Sequence, residues 1–88
     1  MDRQELANTL LELLEEETGE TYPALEDSTT LRDGLHLDSV DMVSLVLHVE
    51  MRLQVPIDSS ELHGVTTVGN LLDLLEKKLA SKDERHAA

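Results

Sequence analysis

Aliphatic residues recur at helical spacing in three separated stretches of this chain, and each stretch is preceded by a polar residue able to cap a helix. In the first, Leu6, Leu10, Leu13 and Leu14 share one face, and Ala7 and Leu11 widen it. Asp2 with Glu5 makes the start signal and Gly19 offers a left-handed stop, so a helix is predicted over 2–17. The acidic run Glu15-Glu16-Glu17 works against its negative end. In the last stretch, Val68, Leu71, Leu72, Leu75 and Leu79 form the stripe and Thr66 or Thr67 the cap. Lys77, Lys78 and Lys82 suit the negative end of that helix, predicted over 68–80.

The middle stretch, 40–53, is apolar around more of its circumference. Val43, Val46, Val49 or Glu50, and Leu53 give one face, which Met42, Leu45, Leu47 and Met51 extend well beyond a single stripe. Such a helix is buried on several sides or shows part of its surface to a partner. Pro56 blocks its continuation. Asp58 with Glu61 forms a further capping box, opening a short turn through Leu62 that Gly64 ends. The connection 20–37 is long and rich in turn formers: Pro23, Asp27, Ser28, Gly34 and the pair Thr29-Thr30. Connections of this length are often functional, and Leu25, Leu31, Leu35 and Leu37 are expected to pin this one to the core. Residues 27–38 do not make a calcium loop, because the alternating oxygen ligands, the central Gly and the closing Glu are misplaced or missing. The expected fold is all-α: a small four-helix bundle of three main helices and one short one, with a long first loop. Residues 1–80 form its single domain, and 81–88, with little to bury, a flexible tail.

Composition narrows the function. The chain has 88 residues, no Cys, and Tyr22 as its sole aromatic, so the core must be Leu and Val packed between helices. The net charge of -12, from 19 acids against 7 Lys and Arg, repels nucleic acid and favours partners with basic surfaces. No apolar run spans a bilayer and no basic-then-apolar leader opens the sequence, so a cytoplasmic monomer without membrane insertion is expected.

The junction of loop and middle helix carries the candidate site. Asp38 is placed to cap the helix, Asp41 completes a box-like pair, and Ser39 becomes the first helical residue. There the free N–H groups and the positive end of the helix dipole favour an attached phosphate. Asp-Ser ahead of an apolar helix is also a common helix start and by itself carries no function. No catalytic set accompanies it. His36, His48, His63 and His86 match no metal spacing, and His36 with Asp38 are sequence neighbours of Ser39 rather than a triad set by geometry.

The stretch Leu35-x-x-Asp38-Ser39-Val40-Asp41 resembles the Leu-Gly-x-Asp-Ser-Leu-Asp of acyl carrier proteins. The pattern continues through Val43, Leu45, Val46, Glu50, Leu53, Val55 and Ile57 to Val65-Thr66-Thr67-Val68, similar to the family's Ile-Thr-Thr-Val, and the resemblance covers roughly 6–79. Departures are specific. His36 stands at the family's Gly, Val40 at its Leu, and Leu53 where many members have Phe; Pro56 precedes Ile57 rather than following it. Ser44 and Met51 replace frequent Glu, and Arg52 and His48 are gained, so the partner-facing surface is less acidic and more apolar than in primary fatty-acid carriers.

The resemblance implies a non-catalytic carrier. A phosphopantetheinyl transferase would move 4'-phosphopantetheine from coenzyme A to the Ser39 hydroxyl. The thiol of that arm would hold acyl groups as thioesters for the acyl-loading and acyl-processing enzymes of polyketide, fatty-acid or specialised lipid biosynthesis, enzymes with basic or mixed apolar surfaces. Asp38 would flank the attachment point, Val43, Leu47, Leu62 and Val65 would line a cleft for the chain, and Asp41, Met42, Leu47, Glu50 and Met51 would meet partners. Two other readings stand beside it. An aminoacyl or peptidyl carrier would use the same arm, although such carriers more often show Gly-Gly-x-Ser. An unmodified helical adaptor would bind through the second helix with no need of an exposed Ser39.

Overall fold

The structure, a computed structural model, describes residues 2–22 and 25–87. Pro23 and Ala88, expected in a turn and at the end of the tail, lie outside those residues, as do the side chains of Ser59, Lys82 and His86. The elements run α1 (Arg3–Thr18), α2 (Ser39–Leu53), a 3-10 turn η1 (Ser59–Leu62) and α3 (Val68–Ala87).

Each helix begins where its cap is. Asp2 accepts the Glu5 N–H at 2.8 Å. Thr67 Oγ1 accepts the Asn70 N–H at 3.1 Å, and Asn70 Oδ1 in return takes the Thr67 N–H at 3.2 Å. At the end of α1, Gly19 turns left-handed with φ 75° and returns its N–H to Glu15. The acids at that end find partners: Glu15 accepts the Tyr22 N–H at 3.1 Å, and Glu17 lies 3.0 Å from His48 Nδ1 on α2.

The core is wholly aliphatic, and no polar or charged side chain among the described residues is buried. α1 contributes Leu6, Leu10, Leu13 and Leu14; α2 contributes Leu45, Val46, Val49 and Leu53; α3 contributes Val68, Leu71, Leu72 and Leu75. α1 packs against both other helices. Leu31, Leu35 and Leu37 bring the long loop into this core, with Leu25 half-buried against it.

Two expectations are corrected. Val43 does not belong to the buried face of α2. At 3.6 residues per turn it belongs with Val40, Leu47 and Met51 to a face centred roughly 150° around the helix from the buried stripe, and all four are exposed. α2 is apolar on two faces, and only contact with α1 decides which is covered. The second correction concerns the end of α3, predicted at 80, where the backbone stays helical to Ala87. Residues 81–87 contain neither Gly nor Pro, so nothing local breaks the ladder. Lys77 and Lys78 are therefore interior to α3, and Lys78 Nζ instead holds Glu61 of η1 at 2.7 Å.

That contact fixes η1 against α3. Lys78, aided by the Asp58 N–H, holds the Glu61 carboxyl below its ordinary value of 4.5. A depressed carboxyl contributes stability that is complete above the ordinary value and is lost as pH falls through the lower folded one. Glu61→Gln should therefore lose less thermal stability than wild type between about pH 6 and about pH 3. Equal losses in parallel melts would show that the pair does not hold η1.

Candidate functional site

The loop before α2 is held by backbone pairing rather than by helix. Thr30 and Thr67 form an isolated antiparallel bridge. The Leu31 N–H donates to Thr66 O at 3.0 Å, the Val68 N–H to Thr29 O at 2.9 Å, and the Gly69 N–H to Asp27 O at 2.9 Å. From that anchor the chain turns back on itself, with the Leu35 N–H donating to Thr30 O and the Leu37 N–H to Leu31 O. Gly34 sits in the bend because a Cβ there would lie 2.6 Å from Thr30 O, a backbone atom that cannot step aside. Buried Leu31, Leu35 and Leu37 are set among exposed Arg32, Asp33, His36 and Asp38, so the loop has a core edge and a solvent edge.

That solvent edge ends on Ser39. Asp38 Oδ1 accepts the Asp41 N–H at 2.8 Å, and Asp41 Oδ2 accepts the Asp38 N–H at 3.3 Å. The box consumes both carboxylates and defines Ser39 as the first residue of α2, exposed to solvent. Ser39 Oγ takes a hydrogen bond from Arg32 Nη2 at 2.8 Å. Asp38 is thus engaged with the start of α2.

Beside Ser39 lies a cavity of about 540 Å³ whose lining includes Leu31, Arg32, Met42, Leu62 and Val65. Leu62 and Val65, two of the residues named for a cleft, are in this lining. Val43 and Leu47 do not line it, because they point away on the far face of α2. Met42, expected to meet partners, is half-buried and takes their place in the cavity wall. Asp41 and Glu50 are half-buried at the flanks, while Met51 is exposed. A second cavity, about 660 Å³, lies between α1, the loop and α3 and contains none of these residues.

Sequence reading gave Val40 no site role and did not single out Arg32. Val40 is 73% exposed and completes, with Val43, Leu47 and Met51, an apolar ridge along α2. Arg32 is the only Lys or Arg between positions 20 and 37, and that isolation seven residues before Ser39 was its available signal.

Fold and site together define a small helical carrier domain that offers one serine hydroxyl beside an apolar cavity. Residues 8–75 match the family described as phosphopantetheine attachment site. The acyl carrier protein of Saccharopolyspora erythraea is 32% identical over 84% of this chain and 78% of its own length. Acyl carrier protein AsbD of Bacillus anthracis is 35% identical over 88% of each. The crystal structure of the Thermotoga maritima acyl carrier protein superposes with a TM-score of 0.83 at 27% identity, covering 92% of this chain and 94% of that one. The chain belongs to the acyl carrier protein family, whose covalently attached prosthetic group is 4'-phosphopantetheine.

Position 36, where the family's motif has Gly, is left-handed in this chain, with His36 at φ 58°. A side chain there costs about 1–2 kcal/mol, against about 0.5–1 kcal/mol of extra unfolded-chain entropy for Gly. His36→Gly is expected to raise the unfolding free energy by roughly 0.5 kcal/mol, seen as a higher urea midpoint with an unchanged slope. A lower midpoint would mean that the imidazole makes contacts worth more than the strain.

Proposed function

We propose that Ser39 bears the phosphopantetheine and that the exposed side of α2 receives the enzymes that load and process the acyl cargo. The observation that carries this is the exposed Ser39 hydroxyl on the first turn of α2, fixed by the Asp38–Asp41 box and bordered by the apolar cavity.

The residues present fit the group. Ser39 Oγ is accessible and bonded to a cation, and the first turn of α2 presents the positive end of its dipole to a phosphate. When attached, the group supplies a thiol, which this Cys-free chain lacks, for holding acyl cargo as a thioester. A phosphopantetheinyl transferase supplies the chemistry of attachment, so Ser39 needs no base of its own. Met42, Leu62 and Val65 offer apolar cargo a partial shelter from water. Asp38 and Asp41 fix the direction in which Ser39 projects.

The α2 surface suits partners of mixed character. Val40, Val43, Leu47 and Met51 are 73%, 68%, 54% and 69% exposed and run along one side of the helix. A contiguous apolar ridge of this kind is the usual mark of a binding face, and Asp41 and Glu50 add acid at its flanks. Partners with an apolar groove rimmed by Lys and Arg would match it, as expected of enzymes dedicated to polyketide or specialised lipid synthesis. The carrier acts as a monomer in the cytoplasm, where coenzyme A and the transferase supply the arm.

Two measurements test this reading. Incubation with coenzyme A and a broad-specificity transferase should add the mass of one phosphopantetheine to wild type and none to Ser39→Ala. No gain in folded wild-type protein, across transferases of several pathways, would overturn the assignment. Met51→Glu should leave stability within about 0.5 kcal/mol, because the residue is exposed. It should also lower transferase kcat/KM about fivefold, corresponding to loss of about 1 kcal/mol at an interface. Unchanged kinetics would remove the ridge from the docking face.

A further inference from the structure

Among the arginines whose side chains are described, Arg32 alone forms no ion pair. The net charge is -12. Arg3 is held by Asp27, Asp73 and Glu76, which raise its pKa, Glu76 most of all. Arg52 pairs with Glu12 and Lys78 with Glu61. Arg32 forms no ion pair among the described residues, although Asp33 adjoins it in sequence and Asp38 and Asp41 lie at the same helix start. Its guanidinium instead reaches seven residues along the chain to the hydroxyl of Ser39, at 2.8 Å. The capping box explains part of this, since each of its carboxylates accepts a backbone N–H.

We propose that Arg32 is a positioning residue for the modified carrier, anchoring the phosphodiester on Ser39 and biasing the arm across the mouth of the neighbouring cavity. The inference rests on the assignment of Ser39 made above and goes beyond it. Attachment forms a bond from Ser39 Oγ to phosphorus, breaks the pyrophosphate linkage of coenzyme A and releases adenosine 3',5'-bisphosphate, while the hydroxyl proton passes to the transferase. Oγ then becomes a bridging ester oxygen and a poor acceptor. The transferred phosphoryl group brings a negative charge shared by its two non-bridging oxygens, and Arg32, already bonded to Oγ, would be the cation to meet them. A planar fork of donors matches those two oxygens better than it matched one hydroxyl, and the bond becomes charge-assisted. Arg32 and Ser39 line one cavity with the apolar Met42, Leu62 and Val65, and Asp33 and His63 are among its polar members. A phosphate held between Arg32 and the first turn of α2 therefore sets the root of the arm at the cavity rim, and loss of the contact frees it toward solvent.

The test uses the full chain, converted to the holo form with coenzyme A and a transferase and verified by intact mass. Conversion of wild type should shift the Arg32 side-chain Nε–H resonance, and the phosphodiester ³¹P signal should differ between wild type and Arg32→Ala. Arg32→Lys should recover part of the ³¹P difference, because it restores charge without the fork. Cross-peaks from the gem-dimethyl group of the arm to Met42 and Val65 should weaken about twofold to fivefold in Arg32→Ala, the population change of an exposed charge pair. A mass gain with the Arg32 resonance unmoved in wild type overturns the inference alone, and that comparison needs no variant to fold. Identical ³¹P signals in wild type and Arg32→Ala, with α2 amide signals in place, also overturn it. Absence of any mass gain overturns the Ser39 assignment and this inference with it.

Discussion

The isolated bridge between Thr30 and Thr67 organises the site end of the molecule. It joins the long loop to the start of α3, and flanking bonds from Leu31 to Thr66 and from Val68 to Thr29 complete the seam. Without it, residues 20–37 would be a connection with little local structure and a large closure entropy. With it, Leu31, Leu35 and Leu37 reach the core in a fixed order, and the chain enters α2 at Ser39 and nowhere else. The paired threonines before α3 thereby acquire a physical role: Thr66 supplies a carbonyl to the loop, while Thr67 caps the helix.

A carrier need not catalyse, and many polar groups around the site serve to hold the fold. Asp38 and Asp41 satisfy backbone donors. Glu61 is held by Lys78, and His48 lies against Glu17. Around Ser39 stand its own hydroxyl, the Arg32 guanidinium bonded to it, and a cavity whose apolar wall of Leu31, Met42, Leu62 and Val65 is edged by Asp33 and His63. The strain at His36 belongs to the same economy, since a left-handed residue between buried Leu35 and Leu37 keeps both leucines in the core while the chain turns toward α2.

The exposed ridge of α2 separates this chain from what its net charge alone suggests. Acidic carriers meet basic partners by long-range attraction, which sets encounter rate. Val40, Val43, Leu47 and Met51 are exposed, and on the proposed reading they would add a desolvating contact that selects for shape. The two effects act at different distances, so the same helix can collect many basic surfaces and retain the one whose groove fits.

Local chemistry was legible in the sequence wherever one residue acts on its neighbours within a turn. The caps at Asp2, Asp38 and Thr67, the left-handed stop at Gly19 and the box at Asp58 and Glu61 all depend on contacts three or four residues apart, and spacing displays them. The Asp38-Ser39 junction and the all-α architecture followed from the same short-range rules, and the family pattern added the meaning of the serine. Spacing could not tell which face of α2 is buried, because Val43 and Val46 are equally apolar and one turn of helix treats them alike. Packing against α1 made that choice, placing Val46 inside and Val43 outside. The hydrogen bond from Arg32 to Ser39 and the substitution of Met42 for Val43 and Leu47 in the cavity wall have the same origin. They depend on where a loop returns after crossing to α3, and such long-range closure is decided by the whole core together.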